Sequence, residues 1–246
     1  MSLLVLLLCA AGLLAGSSVK GIVGIGLPLV AVPLLTLVVD LRTAVALMTV
    51  PIIVSNGAQS FQGGRFVPMA KRFWLLLLPL FISILLSVRL LVVVPEKLLD
   101  WVIGCAVIAF PTLVRLVPRL RVDRAHERWL NPIVGIVSGV LGGISSFYGP
   151  PIMLYVYGMR MPKDDFIPGI SLMYSVAGSG LLIGIYLMGV ASPHEIGLST
   201  LMLIPTGLGM WLGRYVHVHL SEHKFQLVLT AVYVATGLSF LLHAVL

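Results

Sequence analysis

Two stretches of the chain collect groups that could hold an anion. They are Gly16-Ser-Ser-Val-Lys-Gly-Ile-Val-Gly-Ile-Gly26-Leu-Pro28 and Gly139-Val-Leu-Gly-Gly-Ile-Ser-Ser-Phe-Tyr-Gly149-Pro150-Pro151. Ser17, Ser18, Ser145, Ser146 and Tyr148 offer hydroxyls, Lys20 offers an ammonium, and backbone amides around Gly24, Gly26, Gly143 and Gly149 are freed wherever a helix breaks. Donors without a carboxylate among them suit an oxyanion. Asn56, Gln59, Tyr174 and Ser175 lie on the segments that follow and could line the same cavity. Each has a plainer alternative: a helix-end or snorkelling role for Lys20, and helix–helix hydrogen bonding for the amides and hydroxyls.

The elements that position these groups are membrane helices. Of the 246 residues, 59% are hydrophobic and 10% charged, and the mean hydropathy is +1.09. Such a chain cannot cover a soluble domain with ordinary charge, so an all-α polytopic membrane protein follows. Shifting the sequence by 123 superimposes Gly12 on Gly135, Gly16 on Gly139, Gly26 on Gly149 and Pro28 on Pro151; a shift of 126 later aligns Pro79 with Pro205 and Glu96 with Glu222. This is the mark of a duplication. Gly and Pro are common in membrane helices generally, but two runs in register point to a site, because broken helices persist only where they face protein or a wet cavity.

The spacing predicts two halves, residues 1–117 and 131–246, joined by a basic linker over 118–130, all one integral membrane unit. Each half has five hydrophobic segments: 3–16, 27–39, 44–59, 73–94 and 96–118, then 131–143, 150–159, 166–188, 195–213 and 222–246. The first two of each form a broken, re-entrant or short pair, since about fourteen residues reach only about 21 Å of a roughly 30 Å core. Counted as return trips, these pairs put twelve Lys and Arg inside, the five arginines from Arg115 to Arg128 among them, against three outside. Counted as crossings they give eight against seven, so the first topology is preferred, with inverted repeats and both termini outside.

Other chemistry is sparse. Cys9 and Cys105 fall in apolar runs at unequal positions and read as buried thiols. His217, His219 and His223 cluster in a surface loop beside Arg214 and Lys224, and no metal is expected there. Arg89 and Arg214, near helix ends, read as snorkelling. His194-Glu195 lacks a second His four positions after the first, Asp164-Asp165 lacks further carboxylates, and no phosphate loop occurs, so no enzyme and no cofactor are expected. Asp40, Glu96, Asp100, Asp164, Asp165, Glu195 and Glu222 map to segment ends or loops, Asp123 and Glu127 to the linker, and His243 is the one His within a span. Carboxylate-based proton coupling is therefore not expected, and backbone-coordinated Na⁺ stays open. The net charge of +7 lies between spans without interleaved aromatics, which argues against nucleic acid.

At the paired breaks the sequence resembles the TauE/SafE family of sulfite and organosulfonate exporters, whose halves each open with a Gly-rich break followed by Gly-x-Pro or Gly-Pro-Pro. Size, duplication and Val94-Pro95-Glu96 extend the resemblance over the chain. It implies secondary transport, in the export direction, of a small sulfur-containing or carboxylated anion across a bacterial inner membrane, with the substrate between two broken hairpins. An anion channel and an intramembrane enzyme are the alternatives. The expected partners are a small anionic substrate and the lipid bilayer, with a homodimer left open.

Overall fold

A computed structural model describes residues 1–24, 26–95, 97–99, 101, 104–105, 121–217, 234 and 238. The fifth and last predicted segments, with Glu96, Asp100, Glu222, Lys224, His219, His223 and His243, lie largely or wholly outside the described residues. Among the described residues the chain is helical and without strands. Five helices are long and apolar enough to span a membrane, over Leu3–Ile22, Leu41–Ser60, Phe66–Val93, Asp164–Leu187 and Pro193–Tyr215.

The chain divides into two compact units. The first draws its described residues from Met1–Pro51, Val94–Pro111 and Ala191–Leu246. It holds α1 (Leu3–Val23), α2 (Leu27–Thr36), the start of α3 (Leu41–Ser60), α8 (Pro193–Leu201) and α9 (Leu203–His217). Ser2 caps α1 by accepting the Val5 N–H at 3.3 Å. The 21 residues of α1 rise about 32 Å. The expectation of a fourteen-residue first piece is thus corrected: the helix runs on through Gly16 and Gly21 and stops at Gly24, whose φ is 86°. The reason is packing. Around Gly21, α9 comes so near that an added Cβ would meet the Gly213 Cα at 3.0 Å, so these glycines admit a neighbouring helix instead of breaking their own.

Within the same unit Pro51 interrupts α3. Proline has no N–H and leaves the carbonyl four residues earlier without its helical donor. Ser199 of α8 repairs the gap: its hydroxyl donates to the Leu47 carbonyl at 2.8 Å and accepts the Val50 N–H at 3.1 Å. Away from water such groups are otherwise costly.

The second unit draws on Ile52–Val93 and Thr112–Val190. It holds the end of α3, α4 (Phe66–Val93), α5 (Arg124–Ser145), α6 (Gly149–Gly158) and α7 (Lys163–Leu187). Two further boundaries move: residues expected in the loop before 73 are the first turns of α4, and α5 starts at Arg124, within the expected linker. Along α4, Trp74, Leu78, Ile82, Leu86 and Leu90 are exposed at four-residue spacing, while Phe73, Leu76, Leu80, Ile84 and Val88 are buried. A helix apolar on both its packed and its exposed face is suited to lipid, not water. Against it, α5 presents Gly135, Gly139 and Gly143, and Ser87 donates to the Gly139 carbonyl at 3.0 Å. Arg72 of α4 holds Glu127 of α5 through Nε at 3.0 Å and Nη2 at 2.6 Å.

The two units share one pairing rule. In the first, α1 opens one sequence half and packs on α9, the fourth segment of the other half; in the second, α5 opens its half and packs on α4, the fourth segment of the first. Both contacts are lined by small residues, with a serine hydroxyl reaching a carbonyl on the partner helix: Ser87 to Gly139, and Ser17 to Pro205 at 3.5 Å.

Candidate functional site

In the first unit the α1–α2 junction turns on two residues in the left-handed region, Gly24 (φ 86°) and Gly26 (φ 100°). A side chain at either would be strained, which is why glycine stands at both. Gly26 caps α2, Pro28 sits in its first turn, and the Gly24 N–H closes α1 onto the Lys20 carbonyl at 2.6 Å. Lys20 is only 1% exposed, in the last turn of α1, where a cation complements the helix dipole. The hydroxyls of Ser17 and Ser18 are engaged elsewhere. Ser17 donates to the carbonyls of Leu13, Leu14 and Pro205, and Ser18 to Leu14 at 2.8 Å.

In the second unit the α5–α6 junction is built differently. Its left-handed residue is Ser146 (φ 63°), whose N–H closes α5 onto the Gly142 carbonyl at 2.7 Å. Ser145 donates to Leu141 at 2.6 Å and accepts the Phe147 N–H at 3.2 Å. Ser146 Oγ and the Tyr148 hydroxyl are both buried and have no hydrogen-bond partner among the described residues. Leaving such a group unpaired costs roughly 1–3 kcal/mol, so a ligand oxygen placed against either would remove a penalty as well as form a bond.

The surroundings hold Tyr148 in place. Its Cβ lies where a Cβ on Gly142 would be 2.8 Å away, and its ring meets Tyr174 edge-on at 5.0 Å and 74°. The Tyr174 hydroxyl lies beside Gly149, where an added Cβ would approach it to 2.5 Å. Gly149 is the first residue of α6 and its N–H has no acceptor within the helix. Pro150 and Pro151 follow without N–H groups, so the amide contribution of this helix end is small and the hydroxyls carry most of its donor capacity.

The remaining expected residues are tied between α3 and α7. Gln59 Oε1 accepts from Ser171 at 3.3 Å, Asn56 Nδ2 donates to the Ile52 carbonyl at 2.8 Å, and Ser175 donates to the Ile53 carbonyl at 3.5 Å. Gly143 sits inside α5 against Ser87, not at the junction. Sequence reasoning missed the Asn131–Tyr155 bond at 2.8 Å, which fastens α6 to α5, and the buried hydroxyls of Ser138 and Thr206, which also lack partners among the described residues. An asparagine opening an apolar segment was the available signal for the first; nothing in the sequence distinguishes an orphaned hydroxyl from a bonded one.

Comparison with curated proteins and with solved structures returns no match. The family model described as sulfite exporter TauE/SafE matches residues 8–240. With nearly its whole length covered and its described helices apolar enough to span a membrane, the chain belongs to the sulfite exporter TauE/SafE family of membrane transporters.

Proposed function

We propose that this protein exports a small oxyanion, such as sulfite, a sulfonate or a sulfonated carboxylate, across the inner membrane. The observation that carries the reading is the pair of buried, unpartnered hydroxyls on Ser146 and Tyr148 at the head of α6. Each hydroxyl can donate to a ligand oxygen, and an ionised sulfonate or sulfite offers three acceptor oxygens. Lys20, buried at the α1–α2 junction, is a separate candidate contact for an anion.

The halves are inverted repeats in this reading, supported by the reciprocal pairing of α1 with α9 and of α5 with α4. Both termini then lie outside. The native thiols bear on the test: Cys9 is buried as expected, but Cys105, also expected to be buried, is exposed and must first be replaced. Single cysteines at positions 1 and 246 should then react with an impermeant reagent from the outside only, and labelling from the cytoplasmic side only would contradict the topology.

Purified protein in liposomes tests the function. Saturable counterflow of labelled sulfite or a sulfonate is expected, with competition across a panel of sulfonates and carboxylates ranking the substrates. Ohmic current would make the protein a channel, and chemical alteration of the anion would make it an enzyme.

A further inference from the structure

The second unit carries a groove that the anion site does not use. At the turn between α6 and α7, Val156, Tyr157, Arg160, Met161, Phe166 and Ile167 line an open groove of about 370 Å³. That volume lies within the range of small-ligand sites. Its walls are apolar except for Arg160, and the Tyr157 and Phe166 rings meet at 5.1 Å along one side. Arg160 holds a left-handed conformation, φ 49°, with its N–H on the Tyr157 carbonyl at 3.0 Å. Glycine makes such a turn without strain. Strain of this kind is concentrated at binding sites. Nearby, Asp165 is paired with Arg65 at 3.2 Å.

We propose that this groove holds an anionic phospholipid, with part of an acyl chain between Val156, Phe166 and Ile167 and the headgroup phosphate on the Arg160 guanidinium. An apolar slot with one basic residue at the end of membrane helices matches both parts of such a lipid, and neither part alone. The site is independent of the proposed substrate.

Native mass spectrometry of the full chain, titrated separately with phosphatidylglycerol, phosphatidylcholine and inorganic phosphate, tests this. Phosphatidylglycerol should be retained about fivefold over phosphatidylcholine, the preference one basic residue supplies. Arg160→Gln should bring the two lipids level, and Ile167→Trp, which fills the slot and leaves the arginine, should lower retention of both. Equal retention of the two lipids by the unaltered protein, an unchanged ratio in Arg160→Gln, undiminished retention in folded Ile167→Trp, or displacement of phosphatidylglycerol by inorganic phosphate would each overturn the proposal.

Discussion

The two junctions stand at matched sequence positions, turn with a residue in the left-handed region, and lead into ten-residue helices with proline in the first turn. Their chemistry is nevertheless different. At the α1–α2 junction the turn residues are glycines, the serine hydroxyls bond carbonyls, and the distinctive group is a buried ammonium. At the α5–α6 junction the turn residue is itself a serine, and two hydroxyls are buried without partners. The two junctions thus share a left-handed turn and a proline-led helix but differ in chemistry, with a buried lysine at one and two buried, unpartnered hydroxyls at the other.

Lys20→Met should show the largest effect, because it removes the one charge of the first junction. Anion affinity should fall about a hundredfold, the size of a lost charge-assisted contact. Thermal unfolding of the variant should be measured alongside, so that an affinity loss is read only in protein that still folds. Unchanged affinity in the folded variant would leave Lys20 a helix-end residue. Tyr148→Phe comes next, with affinity lowered about tenfold. Folding should be unaffected, because the hydroxyl has no partner among the described residues to lose. A loss of stability there would mean that the hydroxyl serves the fold.

The turns that follow the two hairpins sharpen the contrast at smaller scale. Asp40 caps α3, accepting from the Thr43 N–H at 3.0 Å and its hydroxyl at 2.7 Å, whereas Pro162 before α7 makes no side-chain cap. Partial burial works against the Asp40 carboxylate, but the hydrogen bonds from Thr43 prevail and hold it below its usual range. Its contribution is therefore present above the unfolded carboxylate pKa and lost as pH falls through the lower folded value. Asp40→Ala should cost about 1 kcal/mol at neutral pH and no more than a fraction of that in strong acid, read as the shift in melting temperature at the two pH values. Smallest of all, Ser17→Ala should change anion affinity less than about twofold, because that hydroxyl already serves carbonyls of α1 and α9. A tenfold loss would place Ser17 at the anion after all.

How much of this was legible in the sequence depends on how far the cause lies from the residue. The Gly26-Leu-Pro28 and Gly149-Pro150-Pro151 junctions were readable because positive φ and missing N–H groups are local properties. The extent of α1 was not, because Gly16 and Gly21 look like breakers until Leu27 and Ala31 of α2 are seen against the first, and Met210 and Gly213 of α9, nearly two hundred residues away, against the second. The serines divided for a similar reason. Whether a hydroxyl bends back to the carbonyl four residues earlier, as in Ser18 and Ser145, or is left over, as in Ser146, depends on backbone conformation that residue type does not encode. Gln59 and Ser171 likewise reveal themselves as partners only across 112 residues.

We propose that the junctions serve outward movement of an oxyanion. None of the described acidic residues lies mid-helix in a spanning segment: Asp40 precedes α3, Asp123 and Glu127 stand at the start of α5, Asp164 and Asp165 in the first turn of α7, and Glu195 in that of α8. An anion leaving a cell that is negative inside gains about 2.3 kcal/mol per charge for each 100 mV, roughly fiftyfold in concentration, without a coupled ion. The direct measurement is efflux of labelled sulfite or sulfonate from loaded proteoliposomes under an imposed K⁺ potential, at equal pH and without Na⁺. Saturable efflux should accelerate as the interior is made negative and be lost in parallel with binding in Lys20→Met and Tyr148→Phe. Efflux that ignores the potential but follows a pH or Na⁺ gradient would contradict it.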